Sequence, residues 1–150
     1  MRVFESVDEL ASAAGTDLGR TAWVEVTQER VDQFADATGD HQWIHVDPER
    51  AKHGPFKGTI AHGFLTLSLL PVFLHEVYEV DGASMAVNVG LNRVRFLAPV
   101  LVGSWVRGAV SIVSVDRRDG AVQAVVAVMI EIEGSEKPAA VVESIVRYFA

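Results

Sequence analysis

The hydrophobic pattern of the chain changes its period at Asp81-Gly82. Before this turn, apolar residues recur at helical spacing, whereas after it they alternate with other residues and are often β-branched. The alternating stretches predict four strands, which cover Met85 to Leu91, Trp105 to Val115, Val122 to Ile132 and Ala140 to Phe149. Turn-forming residues such as Asp119-Gly120 separate them at hairpin-like distances, which favours an antiparallel meander.

The first half contributes one strand and one strongly apolar helix. The stretch from His62 to about Tyr78 is apolar on nearly all sides, as expected of a helix enclosed by protein. Pro71 should kink or split it, because proline lacks a backbone donor and clashes with the preceding turn. With an early strand at Trp23 to Val26, these elements predict an α+β fold, in which a curved five-stranded antiparallel sheet wraps around a central buried helix.

Composition limits the classes of function. The 150 residues, 49% of them hydrophobic, are enough for one domain over residues 1–150. The net charge of −7 arises within residues 1–50, which hold 11 acidic and 4 basic residues. An acidic chain without a basic stripe is a poor candidate for binding nucleic acid.

No segment predicts contact with a membrane. The longest apolar stretch, Phe64 to Leu74, is far shorter than the roughly 20 residues of a membrane-spanning helix. The first residues do not follow the basic-then-apolar layout of a secretory signal, so we expect a cytoplasmic protein. The absence of cysteine excludes a thiol nucleophile and thiolate-bound zinc.

The most informative polar residues lie between two helix boundaries. A helix capped by Thr27 should end at Gly39, and Asp47-Pro48 should begin the next one. The loop between them places Asp40 and His45 five residues apart, where both side chains can converge on one point. A carboxylate beside an imidazole can hold a water molecule, one group taking a proton and the other giving one.

A second candidate group lies at the start of the apolar helix. Ala61-His62-Gly63 leads directly into that helix, and the first N–H groups of a helix have no internal acceptor. The Gly63 N–H could therefore stabilise an oxygen that develops negative charge, such as a thioester carbonyl becoming an enolate. Without a side chain, Gly63 also allows close approach of that carbonyl.

These motifs together resemble a known family. Gly39-Asp40-x-x-x-Ile44-His45, Asp47-Pro48 and Ala61-His62-Gly63 are similar to motifs of the MaoC-like dehydratases, the (R)-specific enoyl-CoA hydratases. Asn88 to Val100 also resembles the family's second strand and following proline turn, and the resemblance covers roughly residues 20–149.

The resemblance implies a hotdog fold, which agrees with the predicted element order. It implies that Asp40 and His45 form the catalytic pair and that the Gly63 amide is the oxyanion donor. It further implies a homodimer with the acyl tunnel near the subunit boundary, and an acyl-CoA substrate, with acyl carrier protein as the alternative carrier. No separate cofactor and no metal are expected.

The loop departs from the family at two positions. Family members commonly have Asn-Pro where this chain has Gln42-Trp43. Gln42 can keep the amide hydrogen bonding of Asn, whereas Trp43 replaces a rigid turn residue with a large ring. We therefore expect this departure to affect the geometry of the loop and the preference for acyl chains.

Further polar residues are candidates for binding substrate, each with a structural alternative. The predicted substrate-binding set is Gln42, Trp43, His62, Asn88, Arg93 and Arg95. His62 fits a helix-start residue that hydrogen-bonds locally better than it fits a proton carrier. Arg93 and Arg95 could bind the phosphates of coenzyme A or belong to a solvated face. Asn88 and Asn92 could line the pocket or mark a bulge.

The histidines of the loop could also imitate a metal site. His41 and His45, with Asp47 and His53 near by, offer ligand types that zinc accepts. We expect no metal there, because the proposed chemistry needs none and the segment is predicted to be a loop.

The sequence therefore predicts a hydro-lyase that reversibly adds water to trans-2-enoyl thioesters, giving (R)-3-hydroxyacyl thioesters. Two alternatives use the same scaffold. A hotdog thioesterase would direct water at the carbonyl carbon, and a non-catalytic acyl-CoA-binding accessory subunit would keep the pocket without turnover.

Overall fold

The computed structural model describes every residue from 1 to 150. The strands are β1 (Arg2–Phe4), β2 (Asp17–Arg20), β3 (Val24–Glu25), β4 (Tyr78–Val80), β5 (Met85–Phe96), β6 (Trp105–Arg118), β7 (Ala121–Ile132) and β8 (Ala140–Phe149). The helices are α1 (Val7–Leu10), α2 (Gln28–Thr38), α3 (Trp43–Val46), α4 (Pro48–Ala51), α5 (Gly63–Ser68) and α6 (Leu70–Val77).

The main sheet is antiparallel, with the order β2-β6-β7-β8-β5. β3 also pairs with β6, beyond the end of β2, so the two short strands share one position and the sheet is five strands wide. The predicted α+β hotdog fold, a sheet around a central helix, is confirmed. The sequence did not indicate β2 or the small parallel pair of β1 with β4.

Local sequence explains the long hairpin of β6 and β7. Asp119 and Gly120 both have positive φ, 44° and 78°, which is the backbone of a two-residue hairpin turn and favours Asp-Gly. Arg118 and Ala121 pair directly on either side of this turn. Buried residues alternate along β6, β7 and β8, and they form one wall of a core cluster of 28 residues.

The central helix is split, as Pro71 predicted. α5 ends at Ser68 and α6 begins at Leu70, with Pro71 in the first turn of α6, where a missing donor is tolerated. The expectation that the helix is enclosed on all sides is wrong, because Phe64 is 70% exposed and Val72 is 44% exposed. One face of α5 and α6 therefore packs on the core, and the opposite face is uncovered.

A glycine sets the distance between α6 and the sheet. A Cβ added at Gly108 of β6 would lie 2.9 Å from the Cβ of Phe73, which is fully buried on α6. Only glycine allows the helix to approach the strand this closely. None of the helices has the length and apolar character that a bilayer-spanning helix requires.

The strand β5 forms one edge of the sheet. It pairs only with β8, and nearly all of its residues are exposed. Its register shifts between Asn88 and Gly90 and again between Leu91 and Arg93, so Asn92 lies in a bulge. The predicted strand continues further than Leu91, to Phe96.

Candidate active site

The segment that carries Asp40 is fixed by local caps. The side chain of Thr27 accepts the N–H of Arg30 at 3.1 Å and begins α2, and Gly39 ends α2 in the left-handed conformation, with φ 83°. Asp47 Oδ1 accepts the N–H of Arg50 at 3.0 Å and begins α4. These boundaries agree with the sequence prediction.

The intervening segment is more regular than predicted. Residues Trp43–Val46 form the short helix α3 instead of a loop. Asp40 precedes this turn, and its Oδ1 accepts the N–H of Gln42 at 3.3 Å. Because α2 ends at Gly39 before α3 begins, Asp40 and His45 do not lie on one continuous helix, where this spacing would direct them apart.

His45 is held by the segment that precedes α5. Its side chain is buried, with 6% exposure, and Nδ1 lies 2.7 Å from the carbonyl oxygen of Ile60. Because a carbonyl only accepts, Nδ1 carries the proton and Nε2 keeps a free lone pair. The N–H of Ile60 donates to the carbonyl oxygen of Ile44 at 2.9 Å. A backbone hydrogen bond therefore joins the residue before His45 to the residue that binds the His45 ring.

A second brace, which sequence reasoning missed, joins α2 to His45. Gln28 Nε2 donates to the main-chain oxygen of His45 at 2.8 Å, and Thr59 Oγ1 donates to Gln28 Oε1 at 2.6 Å. Thr59 is buried and directly precedes Ile60. No spacing pointed to Gln28, because a glutamine in the first turn of an amphipathic helix is ordinarily solvated.

The structure brings Asp40, His45 and His62 together. One ligand-type atom of each lies within 4.8 Å of the others. Asp40 is exposed, whereas His45 and His62 are buried. The group is therefore accessible to solvent at Asp40 and enclosed by protein at the two histidines. A carboxylate oxygen of Asp40 and a ring nitrogen of His45 at this separation can share one bridging water molecule.

The same cluster is poorly arranged for a metal ion. The rings of His45 and His62 are stacked, with centroids 3.9 Å apart and planes 23° from parallel. A metal lies in the plane of each ring that binds it, at about 2 Å from nitrogen, and planes this close to parallel do not meet at that distance. The cluster therefore suits hydrogen bonding better than ligation.

The structure does not bring together the four residues whose spacing in the sequence could imitate a metal site. His41 donates from Nε2 to Asp36 at 3.0 Å, and this hydrogen bond raises the pKa of the exposed His41 ring. Asp47 caps α4, and His53 is exposed beyond it.

Gly63 lies at the start of α5, beside a small cavity. The cavity has a volume of about 370 Å³, and Ile60, Phe96 and Pro99 also line it. A Cβ at Gly63 would approach the Phe96 ring to 3.2 Å, which is closer than ordinary contact. As the first residue of α5, Gly63 has an N–H without an acceptor in the helix.

The cavity is not lined by Gln42 or Trp43, the two residues at which this chain departs from the family. Gln42 is the N-cap of α3, and its main-chain oxygen accepts the N–H of His45 at 2.9 Å. The Arg50 guanidinium lies 4.3 Å from the Trp43 ring centre, and a Cβ at Gly54 would lie 3.0 Å from that ring. Trp43 thus occupies the first position of α3, where its ring is packed between Arg50 and Gly54.

The other predicted substrate-binding residues lie on β5. Asn88 lines a larger cavity of about 1090 Å³ between α5, α6, β5 and β8, and none of Asp40, His45 and Gly63 lines it. Arg93 and Arg95 are exposed and line neither cavity. Asn88 therefore both lines a cavity and flanks a bulge, so the two alternatives for this residue are compatible.

The larger cavity has a polar wall. Tyr78 and Tyr148 are hydrogen-bonded through their hydroxyl groups, and both line the cavity with the buried Ser144. Burial raises the pKa of both phenols, so both remain neutral at ordinary pH.

Comparisons with known proteins cover most of the chain. The family model described as "MaoC like domain" matches residues 9–135. The chain is 62% identical over 151 residues to "3-hydroxyacyl-thioester dehydratase Z" of Mycobacterium tuberculosis, covering 100% of both chains. It is also 46% identical over 138 residues to "Nodulation protein N" of Rhizobium leguminosarum, covering 89% of this chain and 85% of the relative.

Solved structures share the fold at lower identity. The unliganded R-hydratase PhaJ1 from Pseudomonas aeruginosa aligns with a TM-score of 0.76 and 20% identity, covering 97% of this chain and 86% of that chain. At this identity the likeness concerns the fold alone.

Proposed function

This chain belongs to the MaoC-like domain family and is a hydro-lyase, and we propose that it reversibly adds water to trans-2-enoyl thioesters to give (R)-3-hydroxyacyl thioesters. The observation that carries the proposal is the convergence of Asp40 and His45 within 4.8 Å, with Nε2 of His45 left free. The named activity of the Mycobacterium tuberculosis relative supports the same substrate class.

The proposed reaction uses these groups in one order. His45 Nε2 takes a proton from a water molecule held with Asp40, and the water oxygen bonds to the β-carbon. The electron pair of the double bond moves to the thioester oxygen, which accepts the Gly63 N–H as its charge develops. A proton then returns to the α-carbon from the Asp40–His45 pair. The reverse sequence removes water.

Coenzyme A is the carrier that we propose, with acyl carrier protein as the alternative. Arg93 and Arg95 are the candidate phosphate contacts on β5, since guanidinium groups match phosphate oxygens. Gln42 begins the short helix α3, and Trp43 packs on the outer side of this helix against Arg50. We propose no metal and no separate cofactor, which metal analysis of the purified active protein would test.

A second copy of the chain is the partner that we propose. β5 is an open sheet edge, and it exposes Met85, Val87, Val89, Leu91 and Phe96. Phe64 and Val72 extend this apolar surface onto α5 and α6. A surface of this kind favours burial in an interface, and a homodimer would close the larger cavity. The cytoplasmic location expected from the sequence stays a prediction.

Incubation with crotonyl-CoA tests the activity. Hydration removes the absorbance of the conjugated thioester without releasing thiol, and chiral analysis should find the (R)-3-hydroxybutyryl product. Release of free thiol would instead support a thioesterase. Binding without either change would support an accessory subunit. Asp40→Asn, with its melting temperature measured, provides the inactive folded control.

A further inference from the structure

His62 touches both members of the candidate catalytic pair. Its side chain is 3% exposed, and its Nε2 lies 2.9 Å from the main-chain oxygen of Asp40. One face of its ring stacks on His45 with centroids 3.9 Å apart, and Phe34 of α2 lies 4.9 Å away at a tilt of 54°. A residue that only begins α5 would need none of these contacts, and the side chain of His62 makes no capping bond to α5.

Asp40 needs an anchor of this kind. It is exposed, it follows the left-handed Gly39, and its side chain accepts one long hydrogen bond, from the Gln42 N–H at 3.3 Å. The bond from His62 joins the Asp40 backbone to the start of α5, where Gly63 lies. It therefore links the carboxylate, the imidazole and the candidate oxyanion donor through one side chain.

The bond also fixes the protonation of His62. A carbonyl oxygen only accepts, so Nε2 of His62 carries the proton and Nδ1 carries the lone pair. Nδ1 is buried and has no hydrogen-bond partner, and a proton there would have no acceptor. The neutral ring therefore suits a neighbour that becomes cationic, because an uncharged aromatic face attracts a cation whereas a second imidazolium would repel it.

We propose that His62 is a positioning residue, which holds Asp40 through its main-chain oxygen and presents a neutral ring face to His45. The inference rests on the proposed function, in which His45 becomes cationic when it takes the proton of water. His62 transfers no proton itself, which refines the sequence expectation of a substrate-binding or locally packed residue.

Three substitutions separate its two contacts. In His62→Gln, the amide nitrogen lies as many bonds from Cα as Nε2 does, so the bond to Asp40 can be kept. His62→Phe keeps a ring against His45 but loses the donor, and His62→Leu loses both. We expect His62→Phe to lower kcat about 10²-fold with KM nearly unchanged, the scale of an ångström-sized misplacement, and His62→Leu to lower kcat further, because it also loses the ring face against His45. His62→Gln should recover a large part of that loss.

Melting temperatures and a matched control make these results interpretable. His53→Gln changes an exposed histidine beyond α4, and it should behave as the parent protein. If folded His62→Phe and His62→Leu keep the parent kcat, the positioning role is wrong. If folded His62→Gln is as slow as His62→Leu, the bond to Asp40 is not the source of the effect.

A spectroscopic measurement tests the inference apart from turnover. The ¹⁵N shifts of the imidazole rings should assign the proton of His62 to Nε2 and that of His45 to Nδ1. A proton on Nδ1 of His62 would overturn the inference. A parent protein that shows these tautomers but hydrates no enoyl thioester would refute the proposed function instead.

Discussion

Two regions of this molecule use their polar and apolar residues in opposite ways. In the site segment, which we define as residues 39–63, the rings of His45 and His62 are buried and each donates to a main-chain oxygen. Along β5, by contrast, hydrogen bonds are made on one side only, and apolar side chains are exposed. The candidate acid–base groups are therefore held by contacts within one copy of the chain, whereas β5 leaves one edge of the sheet unpaired.

The difference has a physical origin. An acid–base pair must be held to within a fraction of an ångström, and short hydrogen bonds to the backbone of the same chain provide this at little entropic cost. An acyl chain needs apolar walls, and a second copy can supply such a wall through non-directional contact. In the proposed function, the two regions therefore depend on different kinds of contact.

The largest effect should come from the acid–base pair itself. Asp40→Asn and His45→Gln should each lower kcat for crotonyl-CoA about 10²- to 10⁴-fold, because each removes a positioned acid–base group. Since the two share one water molecule in the proposed reaction, the double variant should lose far less than the product of the single losses. Steady-state kinetics on folded variants provide the measurement.

Full multiplicative losses in that double variant would mean that Asp40 and His45 act independently. The site segment would then not operate as one unit.

The next effect tests the close contact at the start of α5. Gly63→Ala adds a Cβ that meets the Phe96 ring at 3.2 Å, so either α5 or the ring must shift. We expect a loss in kcat of about 10-fold to 10²-fold, since the Gly63 N–H moves with its backbone.

Phe96→Leu is the matched second change, because it removes the ring atoms that the new Cβ meets. The double variant Gly63→Ala/Phe96→Leu should be more active than Gly63→Ala, when each is compared with its own glycine parent. Equal losses in both backgrounds would show that steric contact with Phe96 is not the cause.

The two regions also differ in how well the sequence predicted them. The caps at Thr27, Gly39 and Asp47 act within one turn of chain, so their residue types are sufficient to place the boundaries around Asp40 and His45. The contact from His45 to the carbonyl of Ile60 left no signal, because every residue has a carbonyl. Gln28 was missed for a similar reason, since its bond is to a main-chain oxygen.

The edge strand illustrates a different limit. The pattern of β5 has the same alternation and β-branched character as the interior strands β7 and β8, although β5 is exposed and they alternate buried residues. Apolar residues that alternate with a period of two identify a strand, but they do not show whether it lies at the edge or in the interior of the sheet. Likewise, apolar residues all around the central helix indicated burial, whereas one face of α5 and α6 is exposed.

A smaller effect on activity should follow from charging the edge strand. Val89→Lys places a cation at a bulge of β5, at a residue that is 44% exposed and lines the larger cavity. We expect the protein to change from dimer to monomer in light scattering, because lysine on an edge opposes strand association. The value of kcat/KM should fall with the loss of the covering copy, while the melting profile of the monomer stays cooperative.

Val113→Lys is a matched control for this experiment. Val113 is 46% exposed and also lies at a bulge, but on the interior strand β6. It should leave the mass and the kinetics unchanged. A parent protein that is monomeric, or a Val89→Lys protein that remains dimeric, would contradict the proposal that a second copy covers β5.

The smallest effect concerns the arginines of β5. Arg95→Ala should raise KM for crotonyl-CoA about 1.4- to fivefold and leave kcat unchanged, the size expected of an exposed ion pair worth ~0.2–1 kcal/mol. Arg93 faces Glu143 across the strand pair, so its contribution should be no larger than that of Arg95.

Crotonyl-pantetheine, which lacks the nucleotide phosphates, separates a phosphate contact from a change in the strand. Its KM should be the same for Arg95→Ala and the parent, and Arg118→Ala, an exposed arginine at the β6–β7 turn, should change neither KM. If both substrates lose affinity equally, Arg95 supports the shape of the edge strand and does not bind the carrier.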